Sequence, residues 1–179
     1  MRRNTFLQRF IGAVSLDAAI YEEVEADTTA TPQALTIVVM SSLAAGFGAR
    51  GLGGATAGNI VFIVMLSLLA WCAWALLTVQ IGGRLMPQPQ TRVDVGEMLR
   101  TLGFAAAPGL LRIFGILPGV TIPAFIVTAI WMLAAMVVAV RQALDYTSTA
   151  RAIAVCLAGW LLAVALAVGA GLLFGPRVY

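Results

Sequence analysis

From Asn59 to Ile81 the chain carries no charged side chain, and a run of that length and character is what an α-helix needs to cross a hydrocarbon core of about 30 Å. Similar runs cover Gln33–Ala49, Thr121–Val140 and Ala152–Phe174. Hydrocarbon offers no water to backbone N–H and C=O groups, so such runs must be helices that satisfy their own hydrogen bonds. Composition agrees: of 179 residues, 61% are hydrophobic and 11% charged, against about 45–50% and about 25% in a soluble domain. Gly and Pro follow no period and both cysteines sit inside apolar runs, which excludes fibrous and disulfide-framework classes. The expected fold is an all-α integral membrane protein, a bundle of five transmembrane helices with amphipathic N-terminal helices. Residues 1–31 form the amphipathic part and residues 32–179 the membrane part.

The third of the five segments is the exception. Its apolar stretch, Thr101–Leu117, would rise only about 26 Å as an α-helix and contains Pro108, Gly109 and Arg112, so crossing and re-entry both fit. Counting arginines does not separate the two. With the amino end cytoplasmic and five crossings, Arg2, Arg3, Arg9, Arg84, Arg92, Arg100, Arg141 and Arg151 fall inside, leaving Arg50, Arg112 and Arg177 outside or near it; with a re-entrant third segment the totals are again eight and three. Gly51, Gly53, Gly54 and Gly58 mark a short loop after the first span, and Gly82, Gly83, Pro87 and Pro89 break the chain after the second.

Ahead of the first span, Phe6, Leu7, Phe10, Ile11 and Val14 recur as one face of a helix, with Arg2, Arg3 and Arg9 among them. The pattern lacks the continuous apolar core and cleavage site of a secretory signal. Two placements fit it: a helix lying in the bilayer interface with its arginines on anionic head groups, or a lead-in whose apolar face packs on the bundle. A second stripe, Leu16, Ile20 and Val24, is surrounded by Asp17, Glu22, Glu23, Glu25 and Asp27. That acidic face is either solvated or a docking surface for a basic partner. Thr28, Thr29 and Thr31 before Pro32 supply a polar cap and a proline at a helix start.

These features together resemble a known family. The acidic lead-in, Asp27 to Pro32 opening the first span, and Gly103 and Phe104 followed by Pro108 in the third are similar to the Yip family, five-span membrane proteins whose eukaryotic members interact with Ypt/Rab GTPases. In that family a Gly-aromatic dipeptide with a proline five residues after the glycine begins the third span. The stretch from Val140 through Arg141, Asp145 and Tyr146 resembles the matching part of bacterial members. The resemblance implies five crossings, with the amino end cytoplasmic and the carboxyl end outside, in a bacterial inner membrane. Asp27-Thr-Thr-Ala-Thr31-Pro32 stands where eukaryotic relatives carry Asp-Leu-Tyr-Gly-Pro, and their long amino-terminal region is absent. A GTPase partner is therefore not expected.

Residues able to do chemistry are few. With no histidine, the commonest general base and metal ligand is missing. Cys72 and Cys156 stand alone on different spans, and Ser41, Ser42 and Ser67 have no histidine or lysine to activate them. Catalytic residues, metal and cofactor are all expected to be absent. The formal charge of +3 forms no basic stripe interleaved with aromatics, so nucleic acid is not an expected partner. Arg112 is the most informative side chain, because charge inside a span is costly. It either snorkels to head groups or meets a lipid phosphate or polar cavity. Arg141 and Asp145, four apart at a helix end, are spaced to pair, and with Tyr146 they offer a cytoplasmic rim for lipid or protein. Trp71, Trp74, Trp131 and Trp160 fall in mid-span, where their N–H groups need acceptors, and serve helix packing or line a hydrophobic pocket. Gly54-x-x-x-Gly58, Gly103-x-x-x-Ala107 and Ala165-x-x-x-Gly169 suit close helix contact or self-association.

The sequence therefore points to a non-catalytic membrane organiser that recruits lipid or protein partners, or a second copy of itself, at its cytoplasmic rim. The competing reading is a small lipid-handling or transport protein centred on the third segment. Candidate binding residues are Gly103, Phe104, Pro108, Arg112, Arg141, Asp145 and Tyr146.

Overall fold

The computed structural model describes residues 4–52, 57–92 and 94–174, with side chains in the last helix described to Leu162. Within these residues the fold is helical throughout: α1 (Phe6–Val14), α2 (Ala18–Ala26), α3 (Thr31–Gly48), α4 (Ala57–Gln80), α5 (Val95–Ala105), α6 (Thr121–Ala143) and α7 (Thr149–Phe174). Four segments are long and apolar enough to cross a membrane: Thr28–Gly51, Ile60–Leu85, Val95–Ile116 and Thr121–Ala143. Half of the first and 61% of the third are buried, against 17% of each of the other two. The pair formed by α3 and α5 is thus the centre of the bundle, while α4 and α6 present mostly outward faces.

The third segment does not need to re-enter for want of length. It starts at Val95 rather than Thr101, and after α5 it continues as a 3₁₀-helix over Ala107–Ile116. Pro108 has no N–H to give to an α-helical ladder, and Gly109 bonds instead to Ala106 three residues back, at 2.9 Å. A 3₁₀ turn rises about 2.0 Å per residue instead of about 1.5 Å. Together the two pieces reach about 36 Å by those rises, more than a hydrocarbon core requires.

Glycines let this segment lie along α3. A Cβ on Gly103 would come within 2.7 Å of Ala34 Cβ, one on Gly109 within 2.0 Å of Ser41 Oγ, and one on Gly48 within 1.9 Å of the Arg112 carbonyl oxygen. Those contacts climb both elements in the same order, so α3 and α5 with its 3₁₀ extension run parallel. On the other flank, Trp71 of α4 donates to Leu102 O at 3.5 Å, and Gly159 of α7 packs on the Trp74 ring. At its end α4 widens into a single π turn, Ile81–Leu85, closed by Met86 N to Ile81 O at 2.9 Å.

The first two helices form a hairpin on the end of the bundle where α3 begins. Its turn is a Schellman motif: Leu16 N bonds to Ala13 O at 3.1 Å and Asp17 N to Gly12 O at 2.9 Å, with Leu16 at φ 63°. Tyr21 donates across the hairpin to Ala13 O at 3.0 Å, and Trp131, midway along α6, donates to Val14 O at 2.9 Å. Asp27 caps the 3₁₀ turn leading into α3, taking the part that the threonines are expected to play.

The apolar stripe of α1 is divided: Phe10 and Val14 pack against the core, while Phe6, Leu7 and Ile11 face outward. Leu7 and Ile11 are 63% and 55% exposed, whereas Arg9 is 2% exposed. Arg9 accepts no role on head groups, as one reading of the sequence expects of it. Its guanidinium is turned into the protein, where it donates to Glu23 at 2.8 Å, Asp27 at 2.7 Å and Gln33 at 3.2 Å. Gly12 permits this approach, since a Cβ there would meet Ile20 at 2.4 Å. Part of the acidic face of α2 is therefore spent on the chain's own arginine. Arg2, Arg3, Gly53, Gly54 and Arg177 lie outside the described residues, and the packing of Ala165 and Gly169 is not among the described contacts.

Candidate functional site

At the hairpin end, three stretches enclose a cleft of about 810 Å³: Glu22, Glu25 and Ala26 of α2, residues 89–92 of the loop after α4, and residues 141, 142 and 145–147 at the end of α6. Hydrogen bonds between the loops fix this wall. Thr147 N donates to Gln88 Oε1 at 3.0 Å, Gln90 Nε2 to Asp145 O at 3.2 Å and Arg151 Nη1 to Pro87 O at 2.8 Å. The Tyr146 hydroxyl lies 2.7 Å from Gly82 O and 2.8 Å from Met86 O, carbonyls released where the π turn ends. Tyr146 is thereby an anchor of the rim, 3% exposed, with little left to offer a partner.

Arg141 and Asp145 do share this cleft, but they form no ion pair. The α-helix stops at Ala143, and Asp145 takes the left-handed position of a second Schellman motif at φ 52°. Its N–H bonds to Gln142 O, that of Tyr146 bonds to Arg141 O, and Arg141 Nε turns to Tyr146 O at 3.4 Å. The one-turn pairing geometry requires helix through residue 145, and it is lost. Both side chains consequently face a cleft that also holds Arg92, Glu22 and Glu25, a mixed-charge surface suited to polar head groups or a charged segment of protein.

Two buried arginine contacts position the acidic side of this cleft. Arg100 of α5, 6% exposed, donates through Nε to Val24 O at 3.1 Å and to Glu25 O at 3.2 Å, and through Nη2 to Glu25 O. It closes the C-terminal end of α2, where cations are favoured. Burial opposes the charge of Glu23, but hydrogen bonds from Arg9 and Asn4 outweigh it and hold that carboxyl below its usual range. Glu25 behaves oppositely. Burial first, then Glu97, Asp145 and Glu22, push it up to about 7, with Arg100 opposing.

That difference has a sign in pH. Folded Glu25 keeps a proton that the unfolded chain, at the ordinary 4.5, has already lost, so its stabilising contribution is full below 4.5 and disappears as pH rises through about 7. Thermal unfolding in detergent should show a midpoint that falls between pH 5 and 8, and Glu25→Gln should flatten that slope. A slope left unchanged in the variant would remove Glu25 as its source.

The remaining candidates lie elsewhere. Gly103, Phe104 and Pro108 are buried at the junction of α5 and its 3₁₀ extension, where they pack the third segment and present no surface to a partner. Arg112 sits far from the rim, on the opposite half of the bundle, donating to Thr128 Oγ1 at 3.3 Å with its guanidinium 5.4 Å from the Phe125 ring centre. Among the described residues no three His, Cys, Asp or Glu side chains gather as a metal site; Cys72 is exposed and Cys156 buried on separate helices. Sequence reasoning missed Arg9 and Arg100 as internal ligands of α2. The signal was present in Gly12 and Ala13, small residues one turn beyond Arg9 that mark the face approached by a neighbour. No family model, no curated protein and no solved structure matches this chain.

Proposed function

We propose that this chain is a non-catalytic integral membrane protein of the Yip type, with α7 as a fifth crossing, which shapes the bilayer and gathers lipid or protein partners at a cytoplasmic rim. The amino end inside fits the arginine distribution, and the carboxyl end outside in a bacterial inner membrane follows from the resemblance carried by Gly103, Phe104 and Pro108.

The observation that carries this reading is the outward apolar edge of α1. A surface helix of a water-soluble protein turns its apolar stripe to the core; this one packs Phe10 and Val14 inward beside Arg9 and Ala13 and leaves Phe6, Leu7 and Ile11 outward. Such a face is stable against acyl chains. The hairpin adds cross-section at one end of the bundle, while at the other end the described residues 49–52 and 117–120 form short turns. Asymmetric insertion of that kind expands one leaflet relative to the other and favours curvature.

Reconstitution into liposomes tests it. The full chain should reduce vesicle diameter or draw out tubules, and Leu7→Glu with Ile11→Glu should abolish that effect. Because both side chains are exposed, the unfolding midpoint of the double variant should stay within a few degrees. Undiminished remodelling by a folded double variant would refute the role of α1.

A further inference from the structure

We infer that the groove beneath Arg112 is a binding site for one anionic phospholipid, entering from the leaflet at the far end of the bundle from the hairpin. The groove, about 480 Å³, lies between α4, α6 and α7 and is lined by Trp71, Trp74, Trp160, Met132 and Met136, with Arg112 at its mouth. This site is separate from the rim and does not depend on its role.

Charge complementarity selects the occupant. Arg112 is the charged lining residue, and no carboxylate pairs with it among the described residues; its hydrogen bond to Thr128 uses Nε alone. The guanidinium keeps four further N–H donors in a planar fork that matches phosphate oxygens. An arginine left in that state among acyl chains is expensive, and an anionic head group relieves the cost. Arg112 also stands about 10 Å below the end of the 3₁₀ segment at Leu117, by the rise of that helix, within reach of a phosphate lying at the interface.

Below the arginine, chemistry changes to that of a tail. From Thr128, beside Arg112, to Met136 the groove follows α6 for about 12 Å, walled by aromatic and thioether side chains that adapt to a flexible chain. Trp160 is 53% exposed there, an indole presented to lipid in mid-span rather than packed away. Trp74 is 8% exposed, and its Nε1 has no acceptor among the described residues. A zwitterionic phospholipid would fit the same trough but carries its own cation beside the phosphate, which Arg112 repels.

Native mass spectrometry of the full chain in detergent with equal phosphatidylglycerol and phosphatidylcholine reads the preference. One phosphatidylglycerol should be retained per chain in at least tenfold preference. Arg112→Leu should bring that ratio near unity, Arg112→Lys should keep part of it, and Arg141→Leu, at the opposite end, should leave it intact. In the unaltered protein, a photoactivatable phosphatidylglycerol should label peptides of α4 and α6 around Trp71 and Met136. Selectivity that survives Arg112→Leu, or that is lost with Arg141→Leu, would overturn the assignment. So would labelling confined to the hairpin end, and that result holds even if a variant fails to fold.

Discussion

Arg9→Leu is expected to lower the stability of the protein by about 3 kcal/mol, because it removes a buried cation shared by two partly buried carboxylates. Arg9 holds Glu23 and Asp27 at 2.8 and 2.7 Å while itself 2% exposed. Its loss removes the cation that Glu23 and Asp27 share, and the hairpin is tied to the start of α3 through the same three side chains and Gln33. Partial access of water to Glu23 keeps the expected figure at the lower end of the usual 3–5 kcal/mol for a broken buried pair. The combination Arg9→Leu, Glu23→Gln and Asp27→Asn should recover more than half of the loss, since the hydrogen-bond caps survive and the charges do not. Denaturant unfolding in detergent, followed by Trp131 fluorescence at the hairpin turn, measures both. A single Arg9→Leu cost under about 1 kcal/mol, the range of a surface pair, would mean that the cluster is solvated.

The second large effect belongs to Gly48. A Cβ placed there would stand 1.9 Å from the Arg112 carbonyl oxygen and 2.9 Å from its carbon, backbone atoms that no rotamer change can move. Gly48→Ala must therefore push α3 and the 3₁₀ segment apart, at the upper end of the roughly 1–3 kcal/mol typical of overpacking. Gly82→Ala provides the comparison. Its Cβ would meet Leu144 Cδ1 at 2.3 Å, the tip of a flexible side chain, and should cost less than about 1 kcal/mol. Equal losses from the two variants would show that the α3 contact is looser than these distances state. Gly48→Ala also shifts the backbone of Arg112, so it should weaken lipid selectivity together with stability.

Much of the fold follows from hydropathy because a membrane span is governed by one dominant cost, the unpaired backbone in hydrocarbon. The run Thr121–Val140 becomes α6 from Thr121 to Ala143, and Gln33–Ala49 becomes α3 from Thr31 to Gly48. The third segment is less legible, since apolar letters reveal where a helix is oily but not its rise per residue. Pro108 signals a break, yet the 3₁₀ extension that restores the length depends on the fit of Gly103 and Gly109 against α3. The direction of α1 is similarly hidden. Periodicity measures how strongly the two faces differ, and only the surroundings decide which face turns inward.

At the candidate sites the same division holds. Arg141, Asp145 and Tyr146 are neighbours in the chain and so remain neighbours at the rim, although the helix end that separates Arg141 from Asp145 is a backbone feature that side-chain spacing does not carry. The groove near Arg112 draws Trp71, Trp74 and Trp160 from two further helices. Each tryptophan is visible as a mid-span oddity, but their meeting with Arg112 requires α4, α6 and α7 to be adjacent, which no local pattern encodes.

The outward apolar edge of α1 supports the whole account, and spin labels on a reconstituted protein test it most directly. With Cys72 and Cys156 replaced by alanine, labels at Leu7→Cys and Ile11→Cys in liposomes should be accessible to oxygen dissolved in the acyl region and shielded from a water-soluble nickel reagent. A label at Glu22→Cys should show the reverse. Ready collision of the Leu7 and Ile11 labels with the nickel reagent, at the level of Glu22, would place α1 in water and contradict the account.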